Sequence, residues 1–476
     1  MAGAIHDFDS HRMDALFDAA LLHHRSGRLE AAEAMYRMIV EASSSHVPAC
    51  VHLARLLMRR GGFDEAIRWL RWAVAEAPHQ VDTYRHLGLA YASSRQLDDA
   101  LDAFSKVLEH EPDDVGTLQI VANLQQALGH AEAARATFLR THALQPLLPI
   151  AASRQPPEFR ALLLFAPGAG NTPIDFLIEG APFESLVLNV LPDVDHDCDR
   201  LRDAADVVVN LVADVDLGHG LLSDAARLAE RIGHPVVNEP DRVALTDRET
   251  VARRLLGIEG CVVPHVRRHS EATLERHAQG AGSVSMPYPL LVRPAGSHGG
   301  VDFHKVRDGQ HLAAVLQQTD AARYYVTQYV DYRSSDGYFR KYRFLFVGDD
   351  ILPYHLAIGD MWKVHHATTD MIDHPWMQEE ERVFLGNPRT VFGAAQFAAL
   401  HAIRQRIGLD YFGVDCALDR SGRVVVFEVN ACMLVHGHNA AFPYKTLAVN
   451  RIREAFHALL RRKAMCARRE MPATHD

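Results

Sequence analysis

Asp415, Glu428 and Asn430 bring two carboxylates and an amide oxygen into one stretch, Tyr411 to Cys432, which reads YFGVDCALDRSGRVVVFEVNAC. A small hard cation prefers such oxygen donors and keeps room beside them for water or phosphate. The set therefore suits magnesium, with manganese as an alternative, and suits zinc poorly. A site of that kind points to a nucleotide. Two apolar runs flank Asp419-Arg420-Ser421-Gly422, a turn cluster ending in glycine, so the pair reads as a hairpin. With Leu418 opposite Arg423, Asp415 faces Val426, Gly413 faces Glu428 and Tyr411 faces Asn430, and the three oxygen-bearing side chains share one side of the sheet. Val414, Cys416, Val425, Phe427 and Val429 then take the other, apolar side. The plainer reading has these polar residues lining the solvated face of a sheet.

Other segments upstream carry matching chemistry. NEPDRVALTDRETVARRLLGIEGCVVPHVRR gives a turn, a helix from about Asp247 to Leu256 opening on Asp247-Arg248, and a strand after Pro264. YPLLVRPAGSHGGVDFHKV, from Tyr288 to Val306, gives an apolar strand bearing Arg293, a glycine-rich loop with Gly296, Ser297, Gly299 and Gly300, and a second strand. Backbone N–H groups of such a loop close over phosphates, and the strand cation adds charge compensation. Next come Tyr325 to Asp331 (YVTQYVD), then Arg340 to Gly348 (RKYRFLFVG), and Trp362-Lys363-Val364-His365 with further cations.

In this order the segments resemble the ATP-grasp enzymes, in particular the RimK-type amino-acid ligases and glutathione synthetases. The resemblance covers about Glu158 to Arg462. It implies an α/β segment at 158–240, an α+β ATP-grasp domain at 241–462, and ATP with magnesium as cofactors. Asp415, Glu428 and Asn430 are then the metal ligands. Arg248, Arg293, Gly296, Ser297, Gly299, Gly300, Gln328, Tyr329, Val330, Asp331 and Asp336 hold the nucleotide, the last two as candidates for the ribose hydroxyls. Arg343, Arg293 and Lys363 are the implied catalytic cations. The implied reaction is ATP-dependent joining of a carboxylate to an amino acid or other amine through an acylphosphate. Phosphoryl transfer to a hydroxyl, or nucleotide binding without turnover, are the alternatives. Departures from the family pattern are Arg293 in place of lysine, Lys341 in place of aspartate, and Ala431 to His438 (ACMLVHGH) where the family often has Ser-x-Pro-Gly. Substrate specificity cannot be transferred across that loop, in which His436 and His438 are within reach of a reacting group and Cys432 has no paired base.

The first third of the chain repeats with a 34-residue period. Ala32, Ala66, Ala100 and Ala134 fall in register, as do Tyr36, Leu70, Phe104 and Phe138, then Ser44, Pro78, Pro112 and Pro146, then Gly27, Gly61 and Gly129 with Arg95 as the exception. The columns, and the copy DTYRHLGLAYASSRQLDDALDAFSKVLEHEPDD above all, resemble the tetratricopeptide (TPR) repeat. Four helix pairs between 13 and 148 form an all-α solenoid, whose concave side is predicted to carry Phe17, Leu21, Arg55, Arg59, Arg85, Asn123 and Gln126. Arg55, Arg59, Arg85 and Asn123 are candidates for holding an acidic peptide or protein substrate. Ordinary solvated helix faces are the alternative. A Pro-rich linker is expected at 149–157. Buried strands at 160–167 and 205–212 with a helix at 221–232 then give an α/β segment, whose Gly168-Ala169-Gly170-Asn171 is a weak candidate binding turn.

The chain has 476 residues, 48% hydrophobic, enough for several domains. A net charge of −10 gives no support for nucleic-acid binding. Six scattered cysteines exclude a zinc knuckle or disulfide scaffold. No apolar run approaches a membrane span and the first residues lack a secretory h-region, so a soluble cytoplasmic protein is expected.

Overall fold

The computed structural model describes residues 2–43, 46–168, 170–192, 194–282, 284–297, 302–319, 321–364, 369–437 and 439–470, with side chains described from 12 to 466 apart from 217–219. The chain divides into a repeat unit, Met1–Pro146 with Pro167–Ala169, and a larger unit built from Leu147–Ala166 and Gly170–Asp476. No helix among the described residues is long and apolar enough to cross a membrane.

The repeat unit consists of the helix pairs α1 (Ala2–Arg25) and α2 (Leu29–Ala42), α3 (Val47–Arg59) and α4 (Phe63–Glu76), α5 (Val81–Ser93) and α6 (Leu97–His110), and α7 (Val115–Ala127) and α8 (Ala131–Leu144). Its in-register residues are its core: the alanines at 32, 66, 100 and 134 and the large residues Tyr36, Leu70, Phe104 and Phe138 are all buried. Small and large columns interdigitate, which lets neighbouring helices approach closely. At Gly88 of α5 the approach is tightest, since a Cβ there would lie 2.7 Å from the Phe104 ring. The turn column is set by backbone conformation. Gly27, Gly61 and Gly129 have φ of 76°, 78° and 80°, and Arg95 takes the same left-handed turn at 62°.

Two groove expectations need correction. Arg85 is not free for a ligand: its guanidinium bonds Asp114 at 2.5 Å, Thr117 at 2.6 Å and Glu111 at 2.6 Å, tying α5 to the start of α7. Phe17 packs into the core, 4.9 Å from the His46 ring and 5.6 Å from His52. Arg55, Arg59, Asn123 and Gln126 are exposed.

His52 of α3 stacks on Tyr36 at 5.5 Å and meets the His24 ring edge-on at 5.7 Å. Burial, then Arg55, His24, His86 and Arg25, push its pKa from 6.5 down to about 4. The unfolded chain thus takes up a proton that the folded array refuses between those values. The stability contributed by neutral His52 is full at pH 7 and falls as pH drops through that window. Hydrogen exchange of α2 and α3, corrected for intrinsic rate, is expected to quicken from pH 7 to pH 5. His52→Phe should remove most of that change, and an equal change in both proteins would contradict this account.

The second unit holds three sheets. The first contains β1 (Leu148–Ile150), β2 (Arg160–Phe165), β3 (Glu184–Asn189), β4 (Val207–Asn210) and β5 (Val236–Val237) in the order β1-β3-β2-β4-β5. All pairs are parallel except that of β1 with β3. A parallel sheet needs cover on both faces. Helices Cys198–Ala204 and Val215–Ile232 bury Leu162, Leu164 and Leu188 on one side. On the other, Val449, Ile452, Phe456 and Leu460 of the helix Thr446–Glu470 cover Ala161, Leu163 and Val209. Two expected boundaries therefore move. The strand β1 takes up the start of the expected linker at 149–157, and the segment expected to close at 240 is completed by the last helix.

The second sheet, in the order β7-β10-β8-β9, contains β7 (Val266–Ser270), β8 (Leu290–Pro294), β9 (His304–Val306) and β10 (Arg323–Gln328), all antiparallel. The third sheet is ordered β12-β11-β13-β14-β6. It contains β6 (Cys261–Val262), β11 (Phe339–Val347), β12 (Asp350–Gly359), β13 (Tyr411–Leu418) and β14 (Val424–Asn430). Tyr342, Phe344, Phe412, Val414 and Cys416 face the helices Pro375–Gly386 and Ala394–Ile407, which bring Phe384, Phe397 and Leu400.

The β13–β14 hairpin is real, but its register differs from expectation. Leu418 pairs with Val424 and Cys416 with Val426, then the register shifts and Asp415 pairs with Glu428 and Gly413 with Asn430. The turn is wider because Asp419 N–H reaches the Arg423 carbonyl at 3.0 Å. Phe427 is the extra residue of a β-bulge. The wider turn moves Val425 and Phe427 to the side of Ala417 and Tyr332, away from the apolar face expected for them, and the bulge then brings Glu428 back to that side, directly opposite Asp415.

Candidate active site

Alternation along β11 and β13 sets the pattern of charge. Arg343 pairs in register with Asp415, and Lys341 lies two residues earlier on the same side. Asp415, 4% exposed, accepts from Arg343 Nε at 2.5 Å and Nη2 at 2.9 Å, with Lys341 Nζ 3.2 Å away. Burial acts to raise this carboxyl, and the two cations outweigh it and hold it well below the usual carboxylate range. Glu428 on β14 accepts from Arg248 Nη2 at 2.6 Å. Arg248 stands in the first turn of the helix Arg248–Leu255, which Asp247 caps through Thr250 N at 3.0 Å. Burial again works against ionisation of Glu428, and Arg248 with Arg293 and Arg343 brings its carboxyl below the ordinary value. Asn430 turns its side-chain oxygen to the Cys432 N–H at 2.7 Å, which leaves one lone pair of that oxygen for another partner. Among the described residues no three His, Cys, Asp or Glu side chains gather as a metal cluster. The hard-oxygen set is two acids and one amide.

Arg293 on β8 is 7% exposed and lies across the Phe303 ring at 5.4 Å. Its Nε reaches Ser297 Oγ at 3.2 Å and its Nη2 the Ser297 carbonyl, so it holds the loop that follows its own strand. Burial, reinforced by Arg248, brings its pKa down to about 10. Gly296 makes the turn at φ 78°. Gly299, Gly300, His365 and His438 lie outside the described residues.

The expected nucleotide linker divides. Gln328 ends β10, exposed, with its N–H on the His265 carbonyl at 2.8 Å. Tyr329 lies under Lys305 Nζ at 3.3 Å and meets Trp362 edge-on at 6.3 Å. Val330 packs beside Tyr332 and Phe427, and Asp331 is exposed, turning to the Arg333 N–H at 3.0 Å. Asp336 does not join this set. It is bound to Arg340 at 2.7 Å, which also grips Glu380 of the helix Pro375–Gly386, on the helix-covered side of the sheet opposite Lys341 and Arg343. The strand alternation that faces Arg343 to the acids turns Arg340 and its partner away. Lys363 is not brought to the acids either; its described polar contact is the Phe303 carbonyl at 3.4 Å.

Cys432 donates its thiol to the Asn171 carbonyl at 2.8 Å, and burial pushes its pKa up to about 12, which removes it as a nucleophile. Asn171 brackets the Ala166 backbone with both ends of its amide, a structural task rather than a binding turn.

Sequence reasoning missed Lys305, for which strand position alone gave no signal, and the cluster around Glu381. Glu381 is wholly buried, bonded to His355 Nδ1 at 2.5 Å, Lys445 Nζ at 3.0 Å and Tyr444 OH at 2.6 Å. Its signal was an acid within the apolar stripe Met377, Phe384 and Leu385 of its helix.

The tetratricopeptide repeat family model matches residues 52–115. No curated protein matches the chain. Among solved structures, MamA from Desulfovibrio magneticus RS-1 is 20% identical, with 28% of this chain and 75% of that one covered and a TM-score of 0.27. MamA AMB-1 is 24% identical over 29% and 75% of the two chains, with a TM-score of 0.27. The first TPR of Spaghetti (RPAP3), bound to the HSP90 peptide SRMEEVD, is 22% identical over 25% and 95%, with a TM-score of 0.24. The matched segment and the in-register helix pairs make the first unit a tetratricopeptide repeat array, which an α/β unit follows.

Proposed function

We propose that the second unit is an ATP-dependent carboxylate–amine ligase of ATP-grasp type, with ATP lying along the open face of β11, β13 and β14. The observation that carries this reading is the register pair Asp415–Glu428 with Arg343, Lys341 and Arg248 in contact with it and Arg293 close by. Two facing carboxylates with such an excess of cations suit a polyanion and a divalent ion better than they suit a structural core. The donor set fits magnesium or manganese, with Asp415, Glu428 and the remaining lone pair of Asn430 as the holders. A bound ion there would supply charge neutralisation on the transferring phosphoryl group.

In this reading Arg343 and Arg248 exchange part of their carboxylate contact for phosphate oxygens. Arg293 keeps the loop at Gly296 and Ser297 in place to exclude water, and Tyr329, Lys305 and Trp362 form the base-binding end. The carboxylate oxygen of one substrate bonds to the γ-phosphorus as the bond from that phosphorus to ADP breaks. Arg343 offsets the charge that builds on the phosphoryl oxygens. An amine nitrogen then bonds to the acyl carbon, phosphate departs with the acyl–oxygen bond, and the amine proton is lost to solvent. Arg55, Arg59 and Asn123 are the candidate contacts of the repeat array with an acidic peptide. Tetratricopeptide arrays commonly bind peptides, so one substrate is proposed to be a peptide or protein.

A second reading, nucleotide binding without turnover, is favoured by Lys341 and Arg343 both being engaged by Asp415. Release of ADP and phosphate, with magnesium and paired carboxylates and amines, separates the two. The ligase reading expects release that depends on both substrates, and no release with any pair would favour the second.

A further inference from the structure

We infer that a cavity beside Arg343, adjoining the open acid face, binds the carboxylate substrate, and that this substrate is a small acid with an apolar body. The inference rests on the ligase reading for its role in catalysis, though not for the binding itself. The cavity has a volume of about 290 Å³ and is lined by Arg343, Tyr354, Met371, Ile372, Phe442 and Lys445, with His355, Thr369, His436 and Asn439 as its neutral polar lining. At water's share of about 30 Å³ it has room for roughly ten non-hydrogen atoms.

Charge decides which end of a substrate enters. Among the described residues no acid lines the cavity, and both cations that do so have their counter-charges behind them. Arg343 rests on Asp415 and Lys445 on Glu381, both buried. An ammonium group would meet two cations and no acid. A carboxylate would meet N–H donors of Arg343 and Lys445, since Asp415 takes only the Nε and Nη2 sides of the guanidinium. His436 adds no charge near pH 7, because burial and then Arg343 and Lys445 lower its pKa.

The remaining wall fixes the rest of the molecule. Met371, Ile372, Phe442 and the Tyr354 ring give an apolar surface, and the Tyr354 hydroxyl is turned to the His436 N–H at 2.9 Å, which holds the loop after β14 against the cavity. Because Arg343 both lines the cavity and grips Asp415, an acid held here has its oxygen beside the place proposed for the phosphoryl group. The loop from Ala431 onward, where family specificity could not be transferred, thus supplies part of the pocket.

Titration calorimetry on the full chain, without nucleotide, tests the inference with hexanoate, hexylamine and inorganic phosphate as probes. Hexanoate is expected to bind, hexylamine not, and phosphate at least tenfold more weakly than hexanoate. Two variants localise the site. Ile372→Trp narrows the cavity from a side chain that is 60% exposed and burdens the fold little. Lys445→Gln keeps a hydrogen-bond donor for Glu381 while removing the charge. Each should weaken hexanoate binding at least tenfold. Hexylamine binding as tightly as hexanoate, no hexanoate binding, or hexanoate binding unchanged in both variants would overturn the inference. Hexanoate binding lost in the variants but without ADP release in wild type supports the pocket and removes only the ligase reading. ADP release that neither variant affects, together with unchanged or absent hexanoate binding, removes the pocket and leaves the ligase reading standing.

Discussion

Glu428→Gln is expected to lower ADP release by about 10²- to 10³-fold, the scale of losing one preorganised electrostatic group at a reacting centre. Glutamine has the same length and still accepts from Arg248, so the local structure is kept while the charge is lost. In wild type Glu428 is one of two acids set against Arg248, Arg293, Lys341 and Arg343. With Asp415 as the one remaining carboxylate, a divalent ion has only neutral amide oxygens beside it, and the surplus of cations repels it further. Unchanged turnover in Glu428→Gln would show that the facing acids do not serve phosphoryl transfer. The variant's urea midpoint should stay close to wild type, which separates lost chemistry from lost fold.

Arg343→Met is expected to destabilise the second unit by about 3 kcal/mol, the lower part of the range for breaking a buried ion pair, because Lys341 still contacts Asp415. Asp415 has little exposure and cannot recover its lost partner from water. The double variant Arg343→Met with Asp415→Leu removes both charges and should regain part of that loss, the remainder being the Lys341 cation left without Asp415, and it should not regain turnover. The pH dependence follows the same pair. The folded-state Asp415 carboxyl is held well below its unfolded value, so its contribution is present above about pH 4 and lost as pH falls below it. Wild type and Arg343→Met should therefore differ in urea midpoint at pH 7 and converge in acid. A gap that persists unchanged at low pH would mean that Arg343 stabilises by packing alone.

These residues also show which parts of the molecule the sequence makes legible. Strand alternation with the expected turn put Asp415, Glu428 and Asn430 on one face, and they share it in the structure because the bulge offsets the one-residue wider turn. The register within the face was not legible, since the bulge at Phe427 and the wider turn at Asp419 are backbone events with no composition of their own. The repeat columns were legible because each fixes a steric need that recurs. Arg95 broke its column in residue type while keeping the left-handed turn. Partners distant in sequence stayed hidden: Arg85 with Asp114, Arg340 with Asp336 and Glu380, and Glu381 with Lys445. The expected roles of Arg85 and Asp336 failed for that reason. The covering of β2 and β4 by the last helix was equally invisible, since an apolar stripe does not say which sheet it meets.

The most direct test of the proposed chemistry is trapping the activated acid. Full-length protein is incubated with ATP, magnesium, a small apolar carboxylate and hydroxylamine as the amine, and the products are followed by phosphorus NMR and by hydroxamate formation. The account predicts hydroxamate, ADP and phosphate in equal amounts, all abolished together by Glu428→Gln. ATP left intact, or ADP formed with a phosphorylated acceptor and no hydroxamate, would contradict it.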